Sequence, residues 1–453
     1  MRFLPTSKTS DMSTSRTLHW FRNDLRLDDN PALAEALHSD EVVPVVVLDD
    51  RLWSEDRWGH VKTGPFRTRF VLESVADLKA AIEDAGGSLL VKQGRPEEIL
   101  PRLMEEWSCA SLTAQAEHTP EELDIESAVA RAVQEVGGTS RWIEGHTLFH
   151  PDDLPMDLDA IPDIFTQFRK KVEKHSEVRE CIAAPSALSC PDGLTSDVVP
   201  TLEDVLVQSG QTMPPADSRG VLPFKGGASE ARARLKHYFW DTKKLAVYKK
   251  TRNGLVGADY SSKFSPWLAS GCISPRRIAS EVYRFEDNVE ANDSTYWLVF
   301  ELIWRDYFRF IAMKFGSRIF HRKALKPESA NRGTQRPAFE AWKEGRTKDA
   351  FVNANMRELA RTGFMSNRGR QNVASYLVHD LGIDWRLGAS WFEHCLLDYD
   401  PASNAGNWIY VAGVGNDPRP NRKFNTQRQA EMYDGDGKYQ TLWSTDALEL
   451  DVR

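Results

Sequence analysis

Cysteine is scarce and unpaired in this chain: Cys109, Cys181, Cys190, Cys272 and Cys395 are scattered, with no CxxC spacing among them. That excludes a disulfide framework, a structural zinc and a cysteine-held iron–sulfur cluster, and points to buried thiols in a reducing compartment. Long apolar runs are missing as well. The longest, such as Val42 to Leu48 interrupted by Pro44, fall far short of a membrane span, so a soluble protein without membrane attachment is expected. The first turn after a strand signal, FRNDLRLDDNPAL, contains no glycine, so the GxGxxG fingerprint is absent where a nicotinamide enzyme would carry it. Gly413 and Gly415 form only a weak GxG in the wrong context. The leader, residues 1–16, is rich in Ser and Thr and has no apolar core, which rules out a secretory signal. It reads as a short transit peptide or as sequence ahead of a start at Met12, giving an organellar or a cytoplasmic location respectively.

What is present fits a two-domain globular protein of 453 residues. The net charge of −8 speaks against nucleic acid until its distribution is considered. Between Lys225 and Arg370 stand 29 Lys and Arg against 15 Asp and Glu, so this segment is strongly basic and the remainder strongly acidic. Binding phosphates requires local rather than global positive charge.

Strand and helix signals alternate over the first 150 residues. Leu18 to Phe21, Val42 to Asp50, Ser88 to Gly94, Ser111 to Gln115 and Thr139 to Gly145 read as buried strands, separated by amphipathic helices such as the one closing at Gly86. That alternation predicts an α/β domain with a parallel, Rossmann-like sheet over residues 17–150. A Pro-, Ser- and Gly-rich connector follows over 151–227, then an all-helical domain over 228–440 and a tail over 441–453.

Two stretches of the helical half carry more polar and aromatic groups than a core needs. In the first, Thr362 to Trp385, Asn367, Arg370 and Gln371 share one helix face while Val373, Tyr376, Leu377 and Leu381 form an adjacent apolar stripe. In the second, Leu396 to Arg422, Asp398 and Asp400 alternate, and Asn404 and Trp408 follow through the small residues Ala402 to Gly406, which would let backbone approach a flat ligand. Together they ask for a large anionic, aromatic cofactor. Upstream, Ser261, Ser262 and Ser265 precede a helix, as a phosphate cradle or an ordinary N-cap would. FELIWRDYFRF sets Glu301, Trp304 and Arg305 within about one turn, able to grip a base and a phosphate or simply to pack as core and ion pair.

Taken together, YKKTRNGLVGADYSSKFSPWLASGCISPRRI, ELIWRDYFRF, NANMRELARTGFMSNRGRQNVASYLVHDLGIDW and DYDPASNAGNWIYVAGVGNDPR resemble the photolyase/cryptochrome family, and within it the DASH cryptochromes, over nearly the whole chain. The resemblance implies an α/β antenna domain, a helical FAD-binding domain and a U-shaped flavin. By motif position Tyr248, Ser261, Ser262 and Ser265 would meet the ribityl chain and phosphates, with Arg305 also on the cofactor; Arg370, Asp398 and Asp400 would hold the isoalloxazine and Asn404 would face its N5. A neutral amide there suits a stably reduced flavin. The implied reaction is light-driven splitting of cyclobutane pyrimidine dimers. Glu301 would bond the pyrimidine edges, Trp304 and Tyr410 would sandwich the dimer, and Arg252, Asn367, Arg368 and Gln371 would meet the lesion or flanking phosphates. Tyr410 and Gln371, polar where duplex-repairing members carry Trp and Met, favour single-stranded or looped DNA, with RNA as another partner, and a monomer is expected. The alternative is a blue-light receptor with little repair activity. Ser366 and Asn367 stand where (6-4) enzymes carry paired histidines, so that reaction is not expected.

The same resemblance marks Trp408 and Trp385 as inner members of an electron relay whose third position is Arg332, with Trp391 or Trp342 as substitutes. It places Asn353 where an Asp is usual, leaving Arg357 an expected orphan and FAD held less tightly. It also implies a methenyltetrahydrofolate antenna gripped by Glu117, in a segment that equally reads as a helix N-cap at Thr119.

Overall fold

The computed structural model describes residues 14–327, 332–417 and 423–444, so most of the expected leader and tail lies outside the described residues. Five strands, β1 (Arg16–Phe21), β2 (Glu41–Leu48), β3 (Leu90–Gln93), β4 (Ser111–Gln115) and β5 (Thr139–Ile143), form one parallel sheet in the order β3-β2-β1-β4-β5. Pro44 lies inside β2, opposite His19 of β1, and pairing with β3 begins only at Val45, beyond the residue that lacks a donor. Around the sheet run α1 (Pro31–Ala36), α2 (Pro65–Asp84), α3 (Pro96–Glu106) and α4 (Pro120–Glu135). Alternation along β2 assigns the faces: Val43, Val45 and Val47 pack with Leu100, Leu103, Val129 and Val133 of α3 and α4, while Val46 and Leu48 join Phe70, Val75 and Leu78 of α2. The second cluster runs on without interruption into the helical half, so the two halves share one core.

The connector is more ordered than its composition suggests, with α5 (Phe165–His175) and α6 (Leu202–Gln208). Beyond it come α7 (Ala228–Lys236), α8 (Tyr248–Thr251), α9 (Ser265–Ala269), α10 (Pro275–Asn288), α11 (Asp293–Phe315) and α12 (Arg336–Lys343). The last six are α13 (Ala350–Thr362), α14 (Asn367–Ser375), α15 (Trp385–Cys395), α16 (Pro401–Ala412), α17 (Thr426–Tyr433) and α18 (Lys438–Leu442). The longest, α11, opens on a capping box between Asn292 and Thr295. Asp306, fully buried on that helix, accepts the backbone N–H groups of Leu148 and Phe149 at 3.0 and 2.9 Å, which ties α11 to the segment after β5.

The turn after β1 that carries no glycine proves to be the clasp between the halves. Arg26 donates to the Gly271 carbonyl at 2.8 Å, Asp29 pairs with Arg276 at 2.7 Å and Asp28 with Arg277 at 2.7 Å. The glycine this approach requires sits on the helical side. Gly271 has φ +69°, and a Cβ there would lie 1.8 Å from the Asn23 carbonyl oxygen.

Candidate functional site

α14, α15 and α16 enclose a cavity whose walls include Arg370, Asp398, Asp400, Asn404 and Trp408, with Asn367 and Gln371 beside them. Because these helices are consecutive, one cavity collects the polar groups of both sequence stretches. The Arg370 guanidinium is fixed by Asp398 at 2.8 and 3.0 Å and by the Met365 carbonyl at 2.9 Å. Asp400 caps α16 by accepting from Ser403 N–H at 2.7 Å and pairs with Arg309, which is only 3% exposed. Burial opposes ionisation of Asp400, but the Arg309 and Arg305 guanidiniums outweigh it and hold the carboxyl below its usual range. Asn404 donates to the Ala389 carbonyl at 3.1 Å, which orients the amide and leaves one N–H and its oxygen to serve the cavity. The small-residue run of α16 has a different task from the one expected. A Cβ at Gly406 would lie 2.3 Å from the Phe308 ring, so the run lets α16 approach α11.

The serine loop between α8 and α9 is organised by a residue the sequence did not single out. Arg234 of α7 donates to the carbonyls of Ala258, Ser261 and Ser262 at 3.0–3.1 Å and to Asp259 at 2.8 Å. Tyr248 is buried against the same loop, and Ser265 is the first residue of α9, its cap position being Phe264. Lys263, 4% exposed, has no hydrogen-bond partner for its amine, and burial lowers its pKa to about 6.

On α11, Glu301 pairs with Arg252 at 2.5 Å, and burial raises its carboxyl against the pull of that guanidinium. Trp304 and Tyr410 meet edge to face, with centroids 6.0 Å apart and planes at 82°, and Phe165 of α5 stacks on Trp304 at 3.6 Å. They form an aromatic corner. Arg368 reaches Gln371 at 3.0 Å and Asn253 at 3.2 Å, and lies over the Tyr433 ring, joining α14 to the loop after α8 and to α17.

A family model described as DNA photolyase matches residues 17–188, and one described as the FAD binding domain of DNA photolyase matches 297–451. The chain is 49% identical over 438 residues to a Cryptochrome DASH of Danio rerio, covering 95% of this chain and 84% of that one. It belongs to the photolyase/cryptochrome family, among the DASH cryptochromes. A solved Synechocystis cryptochrome superposes with TM-score 0.90 at 45% identity, covering 98% of this chain and 89% of that one. A bacterial class III photolyase from Agrobacterium tumefaciens gives TM-score 0.82 at 29% identity, covering 97% and 88%. At family level the chain is a photolyase-like flavoprotein of a kind that acts on DNA. Among the described residues, no helix is long and apolar enough to cross a membrane.

The residues present fit FAD. A cavity with an oriented amide, an arginine held by a carboxylate and an indole suits a flat ring with polar edges. The buried Lys263 amine beside the serine loop lies 3.2 Å over the Tyr260 ring and has no hydrogen-bond partner, so an anionic group would satisfy it.

Two residues expected at ligands are engaged within the DASH cryptochrome itself. Glu117 is buried, one carboxylate oxygen accepting from Asn23 at 2.9 Å and bonded to His146 at 2.8 Å, the other 3.9 Å from Arg309. Arg305 donates to the His146 and Leu268 carbonyls at 2.5 and 3.4 Å and braces the two halves. The expected orphan Arg357 is also corrected: it donates to the carbonyls of Trp443 and Ser444 at 3.0 and 2.6 Å, closing the end of α18. Asn353 is satisfied by Thr347. In the relay, Trp408 lines the cavity, Trp385 is buried with its indole on the Arg322 carbonyl at 3.1 Å, and Arg332 is 5% exposed.

α18 docks through a buried pair, Tyr439 donating to Glu358 of α13 at 2.6 Å. Burial raises the Glu358 pKa to about 7, the Tyr439 hydroxyl and Lys263 only moderating it. A raised folded-state carboxyl binds its proton more tightly than the unfolded chain does, so its stabilisation is present below about pH 4.5 and lost as pH rises to 7. Glu358→Gln is expected to remove this slope, worth at most about 3 kcal/mol, from urea midpoints measured between pH 5 and 7.5. An unchanged slope would place the titration elsewhere.

Proposed function

We propose that the chain repairs cyclobutane pyrimidine dimers in single-stranded or looped DNA, driven by light. The observation that carries this reading is the corner of Trp304 and Tyr410 beside the Glu301–Arg252 pair, about 9 Å along α16 from Asn404 by helical rise. Bound FAD supplies the photoexcited electron that opens the cyclobutane and takes it back afterwards. The chain's own residues do the rest. Arg370, Asp398 and Asp400 orient the ring, and Asn404 presents an amide tethered to Ala389. Glu301 accepts from or donates to the pyrimidine edges, its raised pKa leaving both roles open, while Trp304 and Tyr410 bound the pocket. Arg252, Asn367, Arg368 and Gln371 receive the lesion or its phosphates. Flipping a dimer out of a duplex costs a few kcal/mol, a general figure that includes photolyases, and least from a single strand. Gln371 and Tyr410 make this pocket polar, which favours that cheaper substrate, with RNA as a weaker partner and a monomer as the working unit.

A folate second chromophore belongs to the same proposal. With Glu117 engaged, the outward carboxylate of that segment is Glu121, paired with Lys62 at 2.6 Å. The deciding experiment compares light-dependent dimer loss in oligo-dT with that in matched duplex, using the purified, reduced protein. Faster loss in oligo-dT is expected. Binding in the dark with repair of neither substrate would leave the receptor reading instead.

A further inference from the structure

We propose that electrons enter the flavin pocket from solution along Trp391, Trp342 and Trp408, and not by way of Trp385 and position 332. The inference rests on the flavoprotein assignment above and concerns only how the cofactor is refilled.

Position 332 is a buried arginine, and among the described residues no ring packs against Trp385. Its indole N–H is taken by the Arg322 carbonyl, and its neighbour Asp384 draws in Arg386 at 2.7 Å and Arg322 at 3.9 Å. A positive hole arriving at Trp385 finds no aromatic donor at position 332 to fill it. The other side of Trp408 is built differently. Trp342, fully buried, stands edge-on to Trp408 with centroids 6.5 Å apart. Phe339 stacks on Trp342 at 5.8 Å, His60 lies 5.9 Å from Phe339, and Trp391 lies 5.3 Å from His60. Trp391 is half-buried and ends the series at the surface. Trp342 and Trp391 therefore stand in series, joined through the Phe339 and His60 rings at centroid steps of 5.8, 5.9 and 5.3 Å. His60 adds no charge, because burial, aided by Lys343, lowers its pKa to about 4.

The surface end also has a trap. Lys343 sits with its amine 4.3 Å from the Trp391 centroid. An ammonium at that distance opposes a cationic ring and so favours release of the indole proton once the ring is oxidised. In each of two turns Trp408 would give one electron to the bound flavin, Trp342 would restore Trp408, and Trp391 would restore Trp342, two electrons in all. Trp391 then loses its N–H proton to water. A thiol in solution returns one electron and one proton to it and is oxidised towards the disulfide.

The FAD-loaded protein, illuminated with blue light and dithiothreitol, is followed by loss of oxidised-flavin absorbance and, without thiol, by mass spectrometry of its tryptophan oxidation products. Trp391→Phe is expected to slow flavin reduction by about tenfold or more, and oxidation products in the native protein should concentrate on Trp391. Lys343→Met should lower their yield there. Trp342→Phe should slow reduction in the same way, and if it fails to fold because the Val373 carbonyl loses its 3.0 Å donor, Trp391→Phe and the peptide map still decide. Wild-type reduction by Trp391→Phe, or products confined to Trp385, overturns the route. Repair by dithionite-reduced protein needs no relay, so a failure of the repair proposal would be seen separately.

Discussion

Arg309→Met is expected to release FAD and to lower stability by about 3–5 kcal/mol, the usual cost of breaking a buried ion pair from one side. Arg309 lies between Asp400 and Glu117, and both carboxylates are buried. Methionine keeps the apolar bulk and removes the guanidinium that pairs with both, leaving the more distant Arg305 to offset two buried anions. Asp400 is also the cap of α16, and with it loosened the helix that carries Asn404 and Trp408 loses its anchor at the cavity end. Flavin per protein after gel filtration and the urea midpoint measure the two consequences. Arg309→Lys, which retains one charge, should recover part of each. Wild-type flavin content together with a wild-type midpoint in Arg309→Met would show that the bridge holds nothing.

Glu301→Ala is expected to reduce repair by about two orders of magnitude, the scale of losing one oriented polar contact at a reacting group, while flavin content stays at the wild-type level. Glu301 belongs to α11, outside the cavity formed by α14 to α16, and its protein partner is Arg252 of the loop after α8. Truncation therefore removes the group proposed to meet the pyrimidine edge and frees Arg252 without touching Arg370, Asp398 or Asp400. Dimer loss in oligo-dT per flash and flavin absorbance are the paired measurements. Loss of FAD along with repair would move Glu301 into the cofactor pocket.

The pattern of these effects follows how far apart the interacting residues lie in the chain. Five strands and the cavity residues were readable because their signals are local. Leu18 to Phe21 and Val42 to Leu48 are short, largely apolar runs, and Asn367, Arg370, Gln371, Asp398, Asp400 and Asn404 stand on α14, on α16 or in the short segment that leads into α16. Arg234 gave no signal because the loop it organises begins 24 residues later and accepts through carbonyls that every sequence possesses. Phe165 was hidden in a connector whose Pro and Ser content masks α5. Glu117 and Arg305 carried the right chemistry for ligands, but each found a partner inside the fold.

Taken alone, the sequence determined a two-part chain and which short stretches wall its cavity, since periodicity and short-range spacing fix helix faces and strand faces, while its motifs carried the resemblance to the photolyase family. Only the tertiary structure decided which charges are spent on holding the halves together and which remain for ligands. Arg309 with Glu117, Arg276 with Asp29, and the rings from Trp408 to Trp391 join residues brought together by packing. A buried charge must find its counter-charge wherever the core places it, and that pairing has no period along the chain.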